Sequence, residues 1–134
     1  MTRKIHGVLA HIFGVLIVIQ LFLAGLDTFT TVHNKRFNDS NFDAHAALGT
    51  LMILVALVIA LIAVAGRWSP RALRFSWLLF GLMVLQSLLA GFGADNAPAL
   101  GGLHVLNAFA ITGVTAVLIR EARAPAPTPA VAAA

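Results

Sequence analysis

Residues 44–66 read AHAALGTLMILVALVIALIAVAG, 23 residues without one charged side chain. About 20 apolar residues cross the hydrocarbon core of a bilayer, so this stretch reads as a membrane span. Three more charge-free stretches flank it, at 5–26, 75–94 and 96–119, with 22, 20 and 24 residues. Pro98 suits the first turn of a helix, which sets the fourth span at about 98–119. Across all 134 residues, 60% are apolar and 10% charged. A typical soluble domain carries about 25% charged residues. The sequence therefore predicts an all-α integral membrane four-helix bundle, up-down-up-down. Residues 1–123 form its single domain, and the Pro/Ala-rich 124–134 form a disordered tail. This composition excludes a soluble enzyme and a nucleic-acid binder. Without cysteine there is also no disulfide, thiolate catalysis or iron–sulfur cluster.

Orientation follows from the Lys and Arg residues of short loops. Arg3, Lys4, Arg67, Arg71, Arg74, Arg120 and Arg123 lie on one side, against Lys35 and Arg36 on the other. Both termini are thus expected in the cytoplasm, in a multi-pass protein of the cell inner (plasma) membrane. The loop at about 27–43 and the turn around Asp95 then face outward. The first span follows Arg3-Lys4 as a signal peptide would. It is too long for one and lacks an A-x-A site, so it reads as a retained helix. Ser40 to Asp43 has the spacing of a capping box, starting the second helix near Asn41. Ser69-Pro70 breaks the chain between the second and third.

A short internal repeat is present. Gln20-Leu21-Phe22-Leu23-Ala24-Gly25 ends the first span, and Gln86-Ser87-Leu88-Leu89-Ala90-Gly91 ends the third. A helix with an early histidine follows each, His45 in one and His104 in the other. Helix pairs 1–2 and 3–4 thus read as two copies of one unit.

Ionisable residues inside a span are costly and mark function. His6 at the membrane edge and His33 in a polar loop are accounted for by surface residence. His45 and His104 fall at nearly equal depth on two helices entering from the same side. Small residues, Gly49 and Ala108, follow each by one turn. The stripe continues through Met52, Ala56 and Ala63 on the second helix, and Thr112 and Thr115 on the fourth. Two imidazoles facing each other over small residues are what a bis-histidine haem requires. The rival reading is interhelical hydrogen bonding, for which small and polar residues are also used. Zinc fits less well, since it takes three or four ligands. Lys35 and Arg36, the outer cations, are candidates to grip haem propionates. His11 shares a stripe with Gly7, Gly14 and Gly25, so it is expected to face the bundle and hydrogen-bond there. A quinone or proton-path role is the alternative.

The Q-x3-AG span ends and the H-x3-G helix start resemble one half of haem A synthase, over about residues 5–119. That family joins two four-helix bundles, with haem-ligating histidines on the second and fourth helices of each. The resemblance implies a b-type haem held by His45 and His104. Asn41 stands where the family commonly has an acid, the first loop lacks a cysteine pair, and there is one bundle instead of two. It thus implies haem binding without haem A synthesis. Small four-helix actinobacterial-type membrane proteins of unassigned function are also similar.

The sequence reading is a haem protein of electron transfer or haem handling. Its partners would be the lipid bilayer and a quinone or a membrane redox complex, and it would act as a homodimer or a subunit. The rival is a cofactor-free accessory subunit of a larger membrane complex. A transporter is least supported, because no span contains an acid or a cation to couple ions.

Overall fold

The computed structural model describes residues 2–35, 42–95 and 98–123. They form four helices, α1 (Thr2–Asn34), α2 (Asp43–Ala65), α3 (Pro70–Asp95) and α4 (Pro98–Arg123). Each is long and apolar enough to cross a membrane. Ser40 and Asn41 of the expected capping box, and the tail from 124 onward, lie outside the described residues.

The expected spans are correct in number, but three helices, α1, α3 and α4, are longer than the charge gaps. α1 runs past Gly25 to Asn34, which puts Asp27 inside a helix and buries it. α3 begins at Pro70, with the Ser69 hydroxyl accepting the Ala72 N–H at 3.2 Å. A serine cap followed by proline at the first helical position is a strong helix start. α2 stops in a Schellman arrangement. Trp68 N–H bonds the Ala63 carbonyl, Arg67 N–H bonds that of Val64, and Arg67 adopts φ 49°.

Buried positions recur at spacings of three and four. They are His6, Ala10, Phe13 and Ile17 on α1, and Met52, Ala56, Ile59 and Ala63 on α2. On α3 they are Ala72, Ser76, Leu79 and Met83, and on α4 Asn107, Ile111, Val114 and Leu118. A 3.5-residue repeat presents one seam per helix to a common core, as in four-helix bundles. Each helix supplies one fully buried large apolar side chain: Phe13, Ile59, Leu79 and Leu118. In lipid such packing holds helices together by van der Waals contact, because the tails are as apolar as the core. The outer surface fits that solvent, with Val18, Phe22, Leu54, Leu88 and Phe109 all exposed.

α1 packs on α2 and α4, and α3 packs on the same two, while α1 and α3, like α2 and α4, face each other across the core. The helices thus form a square in which α2 and α4 are diagonal. The beginning of α1 meets the end of α4, where Arg3 Nη2 donates to the Glu121 carbonyl at 3.4 Å. The far part of α1 meets the beginning of α2, through Gln20 and His45. This square brings the two repeat units face to face.

Candidate functional site

His45 is the third residue of α2, and His104 lies two turns into α4. Both are half-buried. Their ring centroids stand 6.3 Å apart across the diagonal, with the planes tilted by 55°. Two metal–imidazole bonds of about 2.0–2.1 Å, plus the ring radii, would set an axial pair's centroids ~6 Å apart. The centroid spacing matches that of such a pair.

Each histidine is oriented by the glutamine of its own repeat unit. His45 Nδ1 donates to the Gln20 carbonyl at 3.3 Å, and His104 Nδ1 donates to the Gln86 carbonyl at 3.0 Å. A carbonyl on Nδ1–H fixes the tautomer and leaves the lone pair on Nε2, the outer-shell pattern of ligating histidines. The side chains of the two glutamines then differ. The Gln20 amide donates to the His45 carbonyl at 2.8 Å. The Gln86 amide donates to His104 Nε2 at 3.1 Å, and its oxygen accepts from Asn107 Nδ2 at 2.7 Å. Asn107 also donates to the Leu82 carbonyl at 2.9 Å. Ligation of a metal by His104 thus requires the Gln86 amide to swing away.

Two buried acceptors near the pair have no hydrogen-bond partner among the described residues, Gln20 Oε1 and Asp27 Oδ2. Both lie on the α1 seam, seven residues apart. Asp27 is within electrostatic reach of His45. A buried polar atom without a partner costs free energy and calls for an explanation.

The remaining candidates are placed unevenly. Gly49 is half-buried and gives its room to Gln20, whose Nε2 would lie 3.2 Å from an added Cβ. Ala108 is half-buried beside the seam residue Asn107. Met52, Ala56, Ala63 and Thr115 are buried as the stripe requires, whereas Thr112 is exposed. Lys35 ends α1, 15 residues or about 22 Å of helix beyond Gln20, and is not brought to the histidine pair. Arg36 lies outside the described residues. His33 and Asp43 are exposed, and no third His, Asp or Glu completes a metal cluster among the described residues.

His6 and His11 exchange the roles expected of them. His6 is fully buried, with Nε2 3.1 Å from the Ser76 hydroxyl and its ring 4.1 Å from Trp68. His11 is exposed; its Nδ1 donates to the Gly7 carbonyl at 2.7 Å and its Nε2 accepts from Arg123 at 2.8 Å. The seam passes through 6, 10, 13 and 17, so the glycine stripe through His11 is not the packed one.

Gln20, Gln86, Asn107 and Asp27 are the site residues that sequence reading misses. The signal for the glutamines was in view, since the repeat itself contains them.

No curated protein and no solved structure matches the chain. The segment from Gln20 to Ala94 contains Gln20, His45 and Gln86, three of the four residues that build the paired bonds. That segment, residues 20–94, matches the family of unknown function DUF6220, and as it is more than half of the chain, the protein belongs to that family.

Proposed function

We propose that the chain is a membrane-embedded b-type haem protein holding one bis-histidine haem near its outer face, for electron transfer or haem handling. The observation that supports this is the pair His45 and His104, 6.3 Å apart across the α2–α4 diagonal with both Nδ1 atoms committed to carbonyls. When bound, haem supplies one-electron exchange at iron. The Gln20 and Gln86 carbonyls orient the two rings, and the Gln86 amide releases Nε2. Ala108 keeps bulk away one turn from His104, while the room at Gly49 is taken by the Gln20 amide. In this reading the bundle resembles one of the two that haem A synthase carries. It runs up-down-up-down, with both termini on the cytoplasmic side of the inner (plasma) membrane by the distribution of Lys and Arg. A quinone or a membrane redox complex is the electron partner, and the chain works as a homodimer or a subunit.

A second reading has its own observation. The Gln86–His104–Asn107 network closes on itself without a ligand, as interhelical glue in a cofactor-free accessory subunit would. The visible spectrum of detergent-purified protein, before and after dithionite, separates the two. A sharp reduced α-band supports the haem protein, and a colourless preparation from haem-replete cells supports the accessory subunit.

A further inference from the structure

At the opposite end of the bundle, a groove of about 620 Å³ runs along α1 and ends against Ala122 and Arg123 of α4. Its floor is apolar, with Gly7, Ile12 and Val15 along α1, and its rim carries Lys4, His11 and Arg123. The groove is shallow and ends where α1 and α4 approach closely: a Cβ on Gly7 would stand 3.1 Å from that of Ala122. We propose that this groove binds one anionic phospholipid, with its phosphate on Lys4 and Arg123 and one acyl chain along Ile12 and Val15.

The chemistry of the rim favours an anion. Seven of the chain's nine Lys and Arg residues lie toward this end in the sequence. The acid among the described residues here, Glu121, is engaged by Arg71 at 3.1 Å. The first turn of α1 contains no acidic residue, so its helix dipole adds positive potential. The Arg123 guanidinium is also held in place. His11 Nδ1 donates to the Gly7 carbonyl, so Nε2 accepts from Arg123 at 2.8 Å and fixes it over the groove. Basic pockets between membrane helices recognise phospholipid head groups in this way, with the tail taken by the apolar wall below. A quinone, which has no charge, would leave these cations without a counterpart.

The test uses the full chain reconstituted in phosphatidylcholine with trace spin-labelled lipid. Electron paramagnetic resonance then reads the immobilised fraction of labelled phosphatidylglycerol against labelled phosphatidylcholine. The chain is expected to prefer phosphatidylglycerol, and Lys4→Gln and Arg123→Gln should each cut that preference by about fivefold, the attraction of one surface cation. Arg123→Lys should keep it, which guards against a folding artefact. Val15→Trp, which fills the chain seat, should lower immobilised phosphatidylglycerol with the charges intact. Arg67→Gln, at the α2–α3 turn and outside the groove, should cut the preference by clearly less. Equal immobilisation of the two lipids would overturn the proposal, as would an equal loss in Arg67→Gln. Co-purification of quinone without enriched anionic phospholipid would also overturn it.

Discussion

Gln86 holds His104 at both ring nitrogens: its carbonyl accepts from Nδ1 at 3.0 Å and its amide donates to Nε2 at 3.1 Å. The second bond occupies the lone pair that a metal would need, so a substitution here separates holding the ring from blocking it. Gln86→Leu keeps the carbonyl and removes the amide. Thermal unfolding in detergent should show a loss of about 1–2 kcal/mol, because the amide's bonds to both His104 and Asn107 are removed. Haem content should be unchanged or higher. A loss of haem as complete as that of His104→Ala would make the amide part of the site.

Ligation is tested at the pair itself. His45→Ala and His104→Ala should each abolish a low-spin spectrum, because six-coordinate iron needs both axial nitrogens. His11→Ala should leave it intact, since His11 is exposed and at the other end of the bundle. Bleaching by His11→Ala with a normal His104→Ala spectrum would reverse the assignment.

The space beside the ligands gives a third test. A Cβ on Gly49 would meet the Gln20 amide at 3.2 Å, so Gly49→Leu must push Gln20 off the His45 carbonyl. Overpacking of this kind costs about 1–3 kcal/mol. Gly49→Leu and Ala108→Leu should both insert in membranes and both lose haem. Full haem content in the two variants would remove these positions from the site.

The α3–α4 corner depends on the close approach of two backbones. A Cβ on Gly93 would lie 2.8 Å from the Gly101 nitrogen, whereas one on Gly91 meets nothing within 4 Å. Gly93→Ala should lower the unfolding temperature by the equivalent of about 1–3 kcal/mol. Gly91→Ala should be neutral or slightly stabilising, by the better helix propensity of alanine.

The two histidines near the start of α1 should differ in stability effect. His6→Ala removes a fully buried ring from Trp68 and leaves the Ser76 hydroxyl without that partner. A loss of about 2–3 kcal/mol is expected on unfolding, from the cavity and the lost bond together. His11→Ala, on the surface, should change stability by less than about 0.5 kcal/mol.

The count of helices was legible because charges are excluded from hydrocarbon, so the gaps between them outline the spans. The same rule misplaced the end of α1. Asp27 reads as the first residue of a loop, yet it falls on the seam through Phe13, Ile17 and Gln20 and is buried there. A charge gap gives the length of apolar chain, not the length of helix. The histidine pair was legible from matched depth in a repeated unit. Its orienting partners were not, because glutamine carries no charge and reads as an end marker of the span. His6 and His11 were exchanged for a related reason. Glycines spaced along a helix describe a face without stating which neighbour it meets, and the 3.5-residue seam is decided by all four helices together.

The duplicated unit is symmetric in sequence and unequal in its bonds. His104 is gripped at two nitrogens by Gln86, whose amide oxygen accepts from Asn107, while Leu48 takes the position equivalent to Asn107 in the first unit. His45 hangs from one longer contact, at 3.3 Å. Of the two rings, His104 is therefore the more constrained and His45 the freer to turn, so any play in the pair falls on the α2 side.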